Sequence, residues 1–96
     1  MNQTITAIPS ISATPITLTL RDTLRNVLIL HDAEPIGCLR KYVDGFVAEI
    51  GRQWPFNFIQ QEDITPFDEA IEFATAELEQ LLCCPVAIDI QDIEYA

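Results

Sequence analysis

Residues 62–84 read Glu62-Asp63-Ile64-Thr65-Pro66-Phe67-Asp68-Glu69-Ala70-Ile71-Glu72-Phe73-Ala74-Thr75-Ala76-Glu77-Leu78-Glu79-Gln80-Leu81-Leu82-Cys83-Cys84, and their periodicity governs the expected fold. At helical spacing, Phe67, Ala70, Ile71, Ala74, Leu78, Leu81 and Leu82 fall within one sector of about 120°. Thr65 suits an N-cap, and Pro66 suits the first helical position, where its missing N–H is no loss. Asp68 stands at the capping-box spacing from Thr65, and the acids of the first turn match the helix dipole. Pro85 ends the segment. The expectation is a core helix whose outer side carries a carboxylate row, Asp68, Glu72 and Glu79. Phe73 projects well away from the apolar sector, among Glu69, Glu77 and Gln80.

Beyond this helix, Val86-Ala87-Ile88-Asp89-Ile90-Gln91 alternates with period two and reads as a C-terminal strand, with Asp92-Ile93-Glu94-Tyr95 continuing acidic. Before it, Trp54-Pro55-Phe56-Asn57-Phe58-Ile59 fits no period and is too apolar for an ordinary loop. Residues 36–53 place Leu39, Val43, Phe46, Val47 and Ile50 on one helical side, with Pro35 at the start and Gly51 near the end, so a helix is expected there. Residues 20–31 are ambiguous. Leu20, Leu24, Val27, Leu28 and His31 share a helical face, whereas the run Val27–Leu30 also suits a buried strand; a helix is favoured. Ile16-Thr17-Leu18-Thr19-Leu20 is a strand by its alternation, able to pair with the C-terminal strand. Residues 1–15, with Pro9 and Pro15, form an edge strand, an extended arm or a flexible lead. The expected fold class is α+β, with two or three helices packed on a small, mostly antiparallel sheet formed by the N- and C-terminal segments.

The 96 residues suffice for a single domain, 1–96, with 49% apolar residues to build its core. The charge of −10 is distributed unevenly. Residues 1–52 balance five acids against all five bases. Residues 53–96 hold Glu62, Asp63, Asp68, Glu69, Glu72, Glu77, Glu79, Asp89, Asp92 and Glu94 with no Lys or Arg. Direct nucleic-acid binding by that half is excluded in practice, because phosphate affinity comes from Lys and Arg. No apolar run approaches the roughly 20 residues that span a bilayer, and no secretory signal is visible. A cytoplasmic location, in the cell of origin or an infected host, is expected, with Cys38, Cys83 and Cys84 as reduced thiols.

The residues carry no catalytic signature. His31 is the only histidine, no local motif joins it to a cysteine, and Cys83-Cys84 lacks the gap that lets two thiolates share one zinc. No phosphate loop, HExxH or calcium loop occurs. The expectation is therefore no enzyme, no metal and no cofactor. The acidic surface points instead to a protein partner with a basic face. Asp68, Glu72, Phe73, Glu79, Asp89 and Asp92 are the candidate contacts, with Phe73 as an apolar anchor among acids. Successive carboxylates of the row stand about 6 and 10.5 Å apart along the axis, a spacing like that of backbone phosphates on one nucleic-acid strand. Small, acidic, motif-free chains of this profile include anti-CRISPR and other anti-defence proteins, antitoxins and immunity proteins. The expected role is an inhibitor or neutraliser of a basic, nucleic-acid-binding protein. The alternative is a structural or assembly role in which Ile5, Ile8 and Ile11, or the Trp54–Phe58 stretch, form a homodimer or a docking interface.

Overall fold

The computed structural model describes residues 14–91 and 93–95. Its strands are β1 (Ile16–Asp22), β2 (Asn26–His31), β3 (Glu34–Tyr42), β4 (Gly45–Gln53), β5 (Asn57–Gln60), β6 (Val86–Ile88) and β7 (Glu94–Tyr95). One helix, α1 (Phe67–Leu82), stands between β5 and β6. The sheet runs β5-β4-β3-β2-β1-β6. β1 to β5 form an antiparallel meander, while β6 and β7 both lie parallel to β1, beside Ile16–Leu18 and Arg21–Asp22 respectively. Parallel neighbours need a crossover, and α1 supplies it, covering one face of the sheet as the chain passes from β5 to the opposite edge. No described helix is long and apolar enough to cross a membrane.

The core lies between α1 and that face. Leu18 and Leu20 of β1, Val27 and Ile29 of β2, Leu39 of β3, and Ala48 and Ile50 of β4 meet Ala70, Ala74 and Leu78 of the helix. Two alanines on the helix let it approach the sheet closely along β4. At its start, Phe46 and Phe67 stack edge-to-face with ring centroids 5.2 Å apart.

This architecture overturns the expected α+β arrangement of two or three helices on a small, mostly antiparallel sheet. The structure has one helix among the described residues, and a mixed sheet dominates, six strands in its main order with short β7 added beside β1. The helix expected over 36–53 is the β3–β4 hairpin, paired Gly37↔Ile50, Leu39↔Ala48 and Tyr42↔Gly45. Leu39, Phe46 and Ile50 satisfy a helical and a strand period alike. Val43 does not: assigned to the helical stripe, it is the fully exposed hairpin tip. Gly45 settles the turn, with φ at +147°; a Cβ there would lie 2.4 Å from the Thr65 carbonyl oxygen. The helix favoured over 20–31 is the end of β1, a turn and β2. Thr23 closes that turn, its hydroxyl donating to the Asn26 carbonyl at 2.8 Å and accepting from the Asn26 N–H at 3.1 Å. Leu24, read as part of an apolar face, is 92% exposed there. Between β2 and β3, Asp32 and Ala33 both take positive φ (52° and 70°), the pair of left-handed residues a tight two-residue hairpin uses.

The expected pairing of the C-terminal strand with residues 16–20 occurs through β6, in parallel. The possibilities raised for residues 1–15 fall on residues 1–13, outside the described part, apart from exposed Thr14 and Pro15.

Candidate functional site

The helix begins differently from its sequence signature. Pro66 is its N-cap residue and no side chain caps it. Thr65 forms a bridge with Phe46 through both backbone bonds, 2.8 and 2.9 Å, and its hydroxyl accepts from Gln61 Nε2. The far end closes at Cys83, in the left-handed conformation with φ 57°. The last turn holds no basic residue; Arg52 of β4 supplies the cation instead, donating from Nη2 to the Leu81 carbonyl at 2.7 Å.

Asp68, Glu69 and Glu72 stand exposed on the outer side of α1. Glu79 is exposed too, but its Oε2 accepts from the Val86 N–H at 3.1 Å and so ties the helix end to β6. Phe73 is half-buried and packs against the core cluster. A sheet this wide continues beneath the flanks of a single helix, so a flanking aromatic finds packing that helical phase alone does not reveal. Asp89 stands apart from the row, beyond β6, half-buried and accepting from the Gln91 N–H at 3.0 Å. Asp92 lies outside the described residues. Of the six candidate contacts, the structure thus brings Asp68 and Glu72 together, leaves Glu79 partly committed to the fold, and separates Phe73 and Asp89 from them.

The ion pairs among the described residues lie elsewhere: Arg21–Glu94 at 3.1 Å, Lys41–Asp22 at 2.6 Å and Arg40–Glu49 at 3.1 Å. His31 Nε2 lies 3.6 Å from Asp32 Oδ2, the neighbouring turn residue. No group of three or more His, Cys, Asp or Glu side chains is placed to hold a metal among the described residues. Arg21, Arg40, Lys41 and Arg52 are engaged in these contacts, and Arg25 stands exposed at the β1–β2 turn, so no ion pair reaches the outer carboxylates of α1 among the described residues.

On the sheet face away from α1, the hairpin builds a polar cluster that sequence reasoning missed. Cys38 and Glu49 are paired across β3 and β4, and both are buried. The Glu49 carboxylate accepts from Arg40 Nε and Nη2, each at 3.1 Å, and from Trp54 Nε1 at 3.4 Å. The Cys38 thiol donates to Glu49 Oε1 at 3.6 Å. Burial pushes the Glu49 carboxyl up, but the bonds from Arg40 and Trp54 and the guanidinium charge outweigh it and hold the group below its ordinary value. Burial, followed by the adjacent carboxylate, pushes the Cys38 thiol up to about 12. The cluster is a strap holding the Trp54 turn to the sheet, with a thiol that is no nucleophile at neutral pH. The sequence clue was Asp44-Gly45, a hairpin signal that sets Arg40 and Glu49 diagonally across two strands.

The thiols give a direct test. In the native protein near pH 7, an aromatic disulfide reagent should modify exposed Cys83 and then half-buried Cys84, and reach Cys38 only on unfolding. Because the folded pKa of Cys38 lies above the ordinary 9.0, its contribution is intact below pH 9 and is lost as pH rises towards 12. Urea denaturation should show the gap between wild type and Cys38→Ala closing above pH 9 by about 1.4 kcal/mol per pH unit. A gap independent of pH would contradict the buried neutral thiol.

No protein-family model matches this chain, and neither the curated proteins nor the solved structures contain a match to it.

Proposed function

We propose that this protein is a non-catalytic binding module that docks the acidic outer face of α1 onto a basic surface of a partner protein, acting as an inhibitor or neutraliser of a nucleic-acid-binding protein. The observation that carries this reading is an exposed carboxylate row that no cation pairs with among the described residues. Asp68 and Glu69 gain something from the helix dipole, but Glu72 lies beyond the first turn and faces Asp68 one turn away. Such like-charged pairs cost about 0.2–0.5 kcal/mol each, so the row does not serve the stability of the helix. A helix presenting Asp68 and Glu72 about 6 Å apart along its axis, a phosphate-like interval, offers a basic groove the electrostatics of a nucleic-acid strand while contributing no base edges. Phe73 is half-buried against the core cluster, so the carboxylates rather than its ring carry the proposed contact.

Affinity capture from nuclease-treated lysate tests the proposal, at low and high salt, with Asp68→Lys/Glu72→Lys in parallel. Wild type should retain a basic nucleic-acid-binding protein at low salt and release it as salt rises, and the variant should not retain it. Retention indifferent to salt and to charge reversal would leave the carboxylates as a solvated face only.

A further inference from the structure

We propose that the free edge of β5 pairs antiparallel with the same edge of a second copy of this chain, with Phe56 of each copy seated in the hollow beside β5 of the other. Among the described residues β5 ends the sheet, pairing with β4 alone, and all four of its residues are exposed. Its outer edge therefore offers unpaired backbone N–H and C=O groups to another strand. Beside it lies a hollow of about 230 Å³ lined by Ile50, Phe58, Ile59 and Leu81, with Arg52 at its side. Phe56, in the turn leading into β5, is 90% exposed.

One edge thus carries an aromatic ring with little to pack against and, within three residues, an apolar hollow among the described residues. A two-fold axis normal to the sheet brings each ring to the other copy's hollow, and an isologous contact needs that kind of self-complementary patch. The charge distribution favours a second copy as the occupant. Residues 53–61 contain no charged side chain, although the chain carries −10. Antiparallel pairing also sets the Arg52 end of one edge against the Glu62–Asp63 end of the other, and both acids are exposed. The contact lies apart from the acidic face of α1 and does not depend on the function proposed for it. Copies bearing −10 repel at long range, so this dimer persists or strengthens with salt, opposite to docking on a basic partner.

Light scattering on the full chain, over a dilution series reaching millimolar protein and at low and high salt, tests the inference. Wild type should show a dimer mass that salt does not lower. Phe56→Asp should stay monomeric and melt at the temperature of wild type diluted to the monomer, because its ring is exposed in the single copy. Ile59→Lys provides a second, independent disruption at a residue 56% exposed. A wild type that is monomeric throughout, or a dimer that survives both substitutions, overturns the proposal.

Discussion

Gly51→Ala is expected to detach β5 from the sheet and to destabilise the protein by about 3 kcal/mol or more. Gly51 is buried in β4 at the irregularity between Ile50 and Gln53, where the register with β5 shifts. A Cβ at this position would lie 2.0 Å from the Asn57 carbonyl oxygen and 2.8 Å from the Phe58 Cα. Both are backbone atoms of the neighbouring strand, so no side-chain rotation relieves the overlap, and β4 and β5 must separate. The loss should therefore be local in pattern as well as large. Amide exchange should accelerate first over residues 57–60, while the β2–β3 amides keep the protection set by global stability. A variant with unchanged denaturation and normal exchange at β5 would mean that the strands do not approach this closely.

Glu49→Ala comes next, at about 2–4 kcal/mol. Removal of the carboxylate leaves the Trp54 indole N–H and the Arg40 guanidinium without their acceptor, and empties space beside buried Cys38. Arg40 is half-exposed and recovers water, which keeps the loss below that of a fully buried orphaned charge. Glu49→Gln, which keeps shape and part of the hydrogen bonding, should cost less. Its pH dependence isolates the charge. The folded pKa of Glu49 lies below the ordinary 4.5, so its contribution is fully present above that pH and is lost as pH falls through the folded value. Urea denaturation at neutral and at strongly acidic pH should show the gap between wild type and Glu49→Gln shrinking in acid. A gap that stays constant would mean that the carboxylate is not held ionised by Arg40 and Trp54.

The helix was legible because several independent signals coincide. The sector from Phe67 to Leu82 has one period, and Pro66 and Pro85 bracket it at positions a helix tolerates only at its ends. The two hairpins were not, because Leu39, Phe46 and Ile50 fit both periods and only pairing partners distinguish them. Their turns held the information: Asp44-Gly45, and the left-handed pair Asp32-Ala33, whose alanine gives no sign of a positive φ. Tertiary pairing then overrode a helical pattern over 36–53 that contains all three glycines, Gly37, Gly45 and Gly51, a pattern weak from the start. The carboxylates at 68 and 72 were legible because exposure on the outer side follows from helical phase alone. Phe73 was not, since a flanking position depends on what lies beside the helix. The Glu49 cluster depends on a diagonal across two strands and becomes visible only once the hairpin is known.

The most direct test of the acidic-face proposal is the association rate of the protein with the partner that affinity capture delivers, measured against ionic strength for wild type and Asp68→Lys/Glu72→Lys. Charge reversal at these exposed positions should leave the fold intact, which the melting temperature checks. Wild-type association should be fast at low salt and fall steeply as salt is added, whereas the variant should associate slowly with little salt dependence. Equal rates and equal salt slopes for the two proteins would contradict a docking role for the carboxylates of α1.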